Sequence, residues 1–413
     1  MSGMLGEYAR VAGADVIRQL RLLAEPMRGL RVVHVNSTRL GGGVAEILAK
    51  LVPLTSELGL EASWEVVEGS PGFYQCTKLF HNALQGQQAH VPASLIAEYE
   101  RVSEVNAERL RVALDTADVV FIHDPQPAAL LRHFPRRRGK WIWRCHIDAS
   151  HPHRPVWAYL RSLVGPYDAS VFSLADFAQM LPHPSYLIPP SIDPLSAKNA
   201  ELSAEQVAAC CARFGIDRMR PLVVQVSRFD RFKDPVGVVA AFRLARSFIP
   251  GLQLVLAGGG AADDPEGEAV LREVEAAAEG DPDIHVLLLP ADADEVINAL
   301  QRAADVVMQK SLKEGFGLTV TEALWKSKPV IGGNTGGIRL QVVDHQTGFL
   351  VSSPEGAALR LRHLLHDRRR SAEMGRAGRE HVHQNFLITR QLREYLTLML
   401  GLVRGAADRI DLG

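Results

Sequence analysis

Two glutamates, Glu314 and Glu322, stand eight residues apart around the turn Gly315-Phe316-Gly317. An apolar run over 305–309 precedes them, and a helix-like stretch ending near Trp325 follows. That order predicts a strand, a tight loop and a helix N-terminus. Glycines there let a ligand approach the backbone, and the first helical N–H groups attract an anion. Glu314 falls in the loop and Glu322 in the early helical turns, so both reach one extended ligand without touching its phosphates. Carboxylates accept bonds from hydroxyls. The arrangement suits a sugar joined to a nucleotide, with the diphosphate at the helix end.

A basic pair adds to this. The strand-like run 222–226 leads into Ser227-Arg228-Phe229-Asp230-Arg231-Phe232-Lys233-Asp234-Pro235. A guanidinium fork at Arg228 and a point charge at Lys233 neutralise a diphosphate leaving group. An exposed charged loop is the competing reading of this segment. Near the start of the chain, Leu40-Gly41-Gly42-Gly43 follows another apolar run. Gly42 and Gly43 at a strand-to-helix turn make a cradle for an anion or sugar, although a tight structural turn explains them too. The pattern is not that of a dinucleotide fingerprint.

His123-Asp124 follows the run 118–122, and Cys145-His146-Ile147-Asp148 follows 141–144. Imidazoles and carboxylates at strand ends bond sugar hydroxyls. A lone histidine is more often structural; their shared placement favours function. Glu314 and Glu322 also resemble the carboxyl pair of a retaining glycosidase. The glycine loop and the basic pair argue instead for a phosphate leaving group. The sequence shows no zinc-protease, nucleophile-elbow or Walker signature. Asp263-Asp264 reads as a surface loop, and no metal site is expected.

The elements that must position these residues follow from the apolar runs. Runs rich in β-branched residues occur at 30–35, 118–122, 141–144 and 169–172, then at 222–226, 252–257, 285–289, 305–309 and 329–331. They alternate with helical stretches, which implies parallel sheets and an α/β fold. Unbroken apolar runs fit strands buried on both faces. The proline-rich stretch 182–194 excludes long helix and marks a stiff boundary. A helix is expected from Ser203, with Gln206 as its capping-box partner, to Gly215. We therefore expect two Rossmann-like domains facing across a cleft, 1–194 and 195–387, with the last helix in 388–413 packing back on the first.

Composition narrows the function classes. The chain has 413 residues, of which 47% are hydrophobic and 23% charged, enough for two ordinary cores. A formal net charge of −1 indicates no general affinity for nucleic acid or acidic membranes. Glu7, Asp15 and Arg18 interrupt the N-terminal apolar residues, so no signal-peptide core is expected. No apolar run reaches a membrane span. Cys76, Cys145, Cys210 and Cys211 lack metal-ligand spacing and read as reduced thiols of a cytoplasmic protein.

At these residues the chain resembles the retaining GT-B glycosyltransferases of the glycogen-synthase-like and sucrose-synthase-like group. It is closer still to the trehalose glycosyltransferring synthases. The resemblance runs through residues 34–48, 77–86, 121–130, 141–150, 188–196, 226–235, 263–267 and 314–332. It implies a reversible reaction of nucleoside-diphosphate glucose with glucose, giving α,α-trehalose and nucleoside diphosphate. It assigns Arg228 and Lys233 to the donor diphosphate, Glu314 to the donor glucose and Glu322 to the ribose. Gly42 and Gly43 then lie near the phosphates, with Gly315, Phe316 and Gly317 lining the nucleotide site. His146 meets the donor glucose near its reacting end, and Asp124 takes the place of an acidic residue at the glucose site. The acceptor attacks on the face from which the leaving group departs.

No cofactor is required beyond the donor substrate, with magnesium allowed as an activator and a homodimer allowed as the assembly. The segment 77–86, with Lys78 and His81, is a candidate lining of the acceptor pocket. Gly258-Gly259-Gly260 departs from the family pattern. Two other readings use the same residues: a retaining trehalose phosphorylase, or another GT-B sugar transferase. A sugar-nucleotide sensor without turnover is a third.

Overall fold

The computed structural model describes residues 3–39, 42–259, 265–290 and 292–405. Each of the nine apolar runs forms a strand, within one or two residues of its expected ends. Three further strands join them among the described residues. The first sheet holds β1 (Arg31–Asn36), β2 (Glu61–Val66), β3 (Val119–His123), β4 (Lys140–Arg144), β5 (Ala169–Phe172) and β6 (Ser185–Leu187) in the order β2-β1-β3-β4-β5-β6. The second holds β7 (Leu222–Val226), β8 (Gln253–Gly258), β9 (Ile284–Leu288), β10 (Val306–Gln309), β11 (Val330–Gly333) and β12 (Gly348–Val351) in the order β12-β11-β10-β7-β8-β9. All pairings within both sheets are parallel.

The strands found from sequence are the central ones and the edge strand β9. β3, β5, β7, β8 and β10 are buried along their whole length, so their sequences are largely apolar. β2 and β6 are edge strands, half-buried and exposed respectively, and carry no such run. β6 lies inside the proline-rich stretch that the sequence reading took as a stiff connection. Pro184 there contributes only its carbonyl, accepting from Ser170 N at 3.0 Å. An edge is where a sheet tolerates proline.

The chain divides into two compact units, Met1–Ser191 with Ile388–Gly413, and Ile192–Leu387. The division falls before Pro194 because Ile192 pairs with the end of the second unit, donating to Phe386 O at 2.9 Å and bridging Leu387. The helix Ile388–Arg404 belongs to the first unit. It packs on the helix Ala14–Ala24, and Arg393 Nη1 donates to Gln19 Oε1 at 3.1 Å. The core of the first unit gathers Phe80, Tyr99, Trp141, Trp143 and Phe172. That of the second gathers Phe242, Leu254, Met308, Phe349 and Leu361. The helix Ala204–Arg213 starts at Ser203 with both capping-box bonds to Gln206, and Gly215 behind it has φ +69°. No helix of the described residues is long and apolar enough to cross a membrane.

The strand order locates the functional ends. In each sheet the first strand has the next strand of the chain on one side and a later one on the other, β2 and β3 about β1, β8 and β10 about β7. Where the order reverses, loops leave in opposite directions and open a crevice at the strands' carboxyl ends. Arg228 and Lys233 follow β7 and Glu314 follows β10, so they flank the switch point of the second sheet. Gly42 and Gly43 follow β1 and Asp124 follows β3, flanking that of the first.

Candidate functional site

In the second unit the basic pair and the first glutamate meet directly. The loop after β7 makes one 3-10 turn, Arg231–Lys233, started by Asp230 Oδ1 accepting from Phe232 N at 2.8 Å. Asp234 takes a left-handed φ of 52° and caps the helix Pro235–Arg246 by accepting from Gly237 N at 3.2 Å. The buried ammonium of Lys310, just past β10, pairs with the other Asp234 oxygen. Gln225 Nε2 donates to Lys233 O at 2.8 Å. So held, Lys233 Nζ reaches both carboxylate oxygens of Glu314 at 2.7 Å. Ser311 Oγ donates to Glu314 Oε2 at 3.2 Å and accepts from Gln309 Nε2 at 3.1 Å.

Arg228 differs. Its side chain is 60% exposed and touches Asp230 Oδ2 at 3.3 Å, a contact too open to hold it in place. Its backbone is fixed from the other side: a Cβ on Gly258 would stand 1.7 Å from Ser227 O. Gly258 thus lets β8 lie against the turn that carries Arg228. Gly41, Gly260 and Asp263-Asp264 lie outside the described residues.

The glycine turn after β10 is packed against a second one after β11. A Cβ on Gly336 would meet Glu314 O at 1.7 Å, and one on Gly337 would meet Phe316 Cα at 2.6 Å. Gly317, at φ 83°, starts the helix Leu318–Trp325. Gln341 ties the turns together: Nε2 donates to Phe316 O at 2.5 Å and Gly337 O at 3.1 Å, while Oε1 accepts from Thr321 Oγ1 at 2.5 Å. Glu322 is buried in that helix. One turn later Lys326 Nζ donates to Gln301 Oε1, Asn199 Oδ1 and Glu322 O at 2.8, 3.1 and 3.2 Å. Burial brings the Lys326 ammonium down to about 7, against the upward pull of the Glu322 charge.

In the first unit Gly42, at φ 81°, precedes the helix Gly43–Glu57. Asn36 at the end of β1 accepts from Trp64 Nε1 at 2.8 Å and donates to Thr38 O at 2.7 Å, which shapes the exit toward those glycines. Asp124 has a left-handed φ of 63° and three fixed contacts. Its N–H donates to Arg144 O at 2.8 Å, its carbonyl accepts from Trp143 Nε1 at 3.1 Å, and Oδ1 accepts from His146 N at 2.7 Å. Burial raises the Asp124 carboxyl to about 6, despite the His146 N–H and the Arg144 charge pulling it down. His146 Nε2 lies 3.0 Å from His123 Nδ1, and burial keeps both imidazoles neutral at ordinary pH.

Each fold unit therefore gathers its own share of the expected residues. Lys233 and Glu314 are bonded to each other with Arg228 at their margin, and Gly315, Phe316, Gly317 and Glu322 lie on the turn and helix that follow Glu314; Asp124 and His146 share a hydrogen bond. The sequence reading overlooked Lys310, Ser311, Gly336, Gln341, His34 and Arg144. A second glycine pair a few residues past the apolar run 329–331, Gly336-Gly337, was the visible signal for part of that set. The segment 77–86 is mostly helix, in Pro71–Leu84. Lys78 on it is exposed, and Phe80 lines a cavity of about 580 Å³ with His90, His153 and Tyr159. Among the described residues no cluster of three or more His, Cys, Asp or Glu suits a metal ion.

Comparison with known proteins adds the following. Residues 34–179 match the family model described as trehalose synthase, N-terminal domain, and residues 212–381 match glycosyl transferases group 1. A trehalose synthase of Pyrococcus horikoshii is 44% identical over 404 residues, covering 96% of this chain and 95% of that protein. A trehalose phosphorylase of Pleurotus pulmonarius is 29% identical over 92% of this chain, which spans only 58% of its length. Among solved structures, an α,α-trehalose 6-phosphate synthase of Burkholderia multivorans superposes with a TM-score of 0.73 at 16% identity, covering 91% of this chain and 99% of that one. The shared architecture is GT-B.

Proposed function

The chain belongs to the trehalose synthase family of GT-B glycosyltransferases, and from that premise we propose that it moves glucose reversibly between a nucleoside diphosphate and free glucose. In the forward direction the bond from glucose C1 to the diphosphate oxygen breaks and a bond from C1 to O1 of the acceptor glucose forms. The product is α,α-trehalose, with the donor's configuration retained. The acceptor's proton passes to the departing diphosphate, which leaves on the same face.

The observation that carries the reading is the Lys233–Glu314 bond at the switch point between β7 and β10. One ammonium and one carboxylate at adjacent strand ends offer a sugar diphosphate what its two halves need. The cation takes the phosphates and the carboxylate takes hydroxyls. Arg228, exposed beside them, folds onto the diphosphate, and Glu322 bonds the ribose. Electrostatic stabilisation of the leaving group is the main catalytic contribution. Asp124 and His146 serve the sugars. A cytoplasmic location belongs to the same reading, since all four cysteines are free thiols.

The test supplies trehalose with ADP, UDP, GDP or inorganic phosphate in turn. A nucleoside-diphosphate glucose from any nucleotide supports the reading and identifies the donor base. Glucose 1-phosphate formed from phosphate alone replaces it with a phosphorylase. Nucleotide binding without any product replaces it with a sensor.

A further inference from the structure

Three imidazoles on neighbouring strands of the first sheet form one hydrogen-bonded row. His34 lies on β1, His123 ends β3 and His146 stands two residues past β4. His34 Nδ1 is 3.1 Å from His123 Nε2, and His123 Nδ1 is 3.0 Å from His146 Nε2. His34 and His123 are 1% and 2% exposed. The His34 ring is stacked on Phe121 at 4.7 Å and Tyr395 at 6.4 Å.

A neutral imidazole carries one N–H and one lone pair. Each contact in the row is nitrogen to nitrogen, so each requires one donor and one acceptor. His123 spends both nitrogens. If its proton is on Nε2, His34 accepts and His146 donates; if on Nδ1, both roles reverse. A cationic His123 would donate at both ends and uncouple its neighbours. Burial opposes that state, and so does Arg144. The Arg144 guanidinium is fully buried and bonded to Ser173 Oγ at 3.2 Å, with Nε and Nη1 unpartnered among the described residues. Its charge works against a proton on His123 or His146. The row is thus neutral throughout and has two concerted polarities.

His146 has one ring nitrogen outside the row, Nδ1. We propose that His34 and His123 are positioning residues which, through the shared orientation of the row, fix whether His146 Nδ1 offers a donor or an acceptor to the sugar. Asp124 fixes the backbone of His146 through its N–H, and the row fixes the ring's tautomer. This rests on the reading that places His146 at the donor glucose. A buried histidine two strands away thereby acts on a sugar it never touches.

The test is His34→Phe, which keeps an aromatic ring against Phe121 and Tyr395 and removes both ring nitrogens, among them the Nδ1 that meets His123. Imidazole nitrogen-15 spectra of histidine-labelled protein read the tautomer of His146 with no substrate present. Wild type should show one tautomer, and His34→Phe a mixture. Turnover of glucose into trehalose should fall about 3- to 10-fold, the effect of one ordinary hydrogen bond, with KM nearly unchanged. His34→Asn, whose amide offers either polarity near the position of Nδ1, should recover part of both. If His34→Phe does not fold, His123→Asn, which keeps a partner for His146 and cuts off His34, should give the same mixture. A single unchanged tautomer at His146 in the folded variant overturns the relay, whatever the activity. A mixed tautomer with undiminished turnover overturns the role of His146 at the sugar and leaves the rest of the functional reading standing.

Discussion

Lys233 and Glu314 are 81 residues apart in the chain, yet the ammonium lies 2.7 Å from both carboxylate oxygens. Their side chains are 19% and 8% exposed. The cation proposed for the diphosphate and the carboxylate proposed for the glucose therefore neutralise each other. A donor that uses both must exchange their bond for bonds to itself. The pair is also structural, because removing either member leaves the other charge half-shielded from water.

Sequence alone would predict that Lys233→Ala costs activity and little stability. The ion pair changes that expectation. Lys233→Ala should lower turnover about 100-fold or more and also lower stability by ~1–3 kcal/mol, the cost of an unsatisfied buried partner. The double variant Lys233→Ala/Glu314→Gln removes the stranded charge. It should regain much of the lost stability and none of the turnover. Thermal melts and initial rates of the three proteins check this; stability that does not recover in the double variant contradicts the coupling.

The two glutamates should separate by ligand. Glu314→Gln removes the carboxylate that competes for Lys233, so free nucleoside diphosphate should bind as well as before or better, while turnover falls. Glu322→Gln loses a partner of the ribose and should weaken the free nucleotide about 10-fold or more. Calorimetric titration of both variants decides it, and equal losses would remove the division of labour.

Asp124 should give stability a pH dependence of unusual sign. Its carboxyl holds a proton up to about 6 in the folded protein, against an ordinary value of 3.8. Between those values the folded state binds more protons than the unfolded one, so this group's contribution declines as pH rises through the window. Asp124→Asn keeps an acceptor for His146 N and cannot ionise. Its melting temperature relative to wild type should rise from pH 4 to about 6 and level off above. A difference independent of pH would place Asp124 in the ordinary carboxylate range.

Gly336 and Gly401 should respond oppositely to alanine. At Gly336 a Cβ would overlap Glu314 O at 1.7 Å, so the turn bearing Glu314 must shift. Gly336→Ala should lose both stability and turnover. At Gly401, inside the helix Ile388–Arg404, nothing lies within 4 Å of a Cβ. Gly401→Ala should stabilise by up to about 1 kcal/mol. Melting curves of the two variants suffice, and a stable, active Gly336→Ala protein would contradict the tight packing of the two glycine turns.

What the sequence made legible follows the physics of burial. Central strands buried on both faces announce themselves as apolar runs; among the edge strands β9 does so too, whereas β2, β6 and β12 do not. Glu314 was visible as a charge beside a glycine turn after a strand, and Arg228 and Lys233 as a basic pair just past one. Their mutual bond was not, because β7 and β10 become neighbours only through the strand order. His34 was hidden for the same reason. In the sequence it is one polar residue within a strand, and only the adjacency of β1 and β3 gives it a partner. The double duty of Gly258 and Gly336 likewise depends on backbones far apart in the chain.

The acceptor gives the last prediction. Around Asp124 and His146 the first unit presents one carboxylate and neutral imidazoles, while Arg144 is fully buried and pointed at Ser173. Such groups bond hydroxyls; they offer no accessible fork for a phosphate. A site built around hydroxyl partners rejects an analogue that leaves them unpaired or crowds them with charge. Free glucose should therefore accept efficiently and glucose 6-phosphate poorly, and the product should be the α,α-1,1-linked disaccharide. Proton NMR of the products, with each acceptor supplied in turn, reads both points at once. A symmetrical product with a single anomeric doublet is expected from glucose. Preferential formation of a phosphorylated disaccharide would reassign the acceptor to the sugar phosphate and would require a cation for it in the first unit, for which exposed Arg39 just past β1 and Lys78 are the first residues to replace.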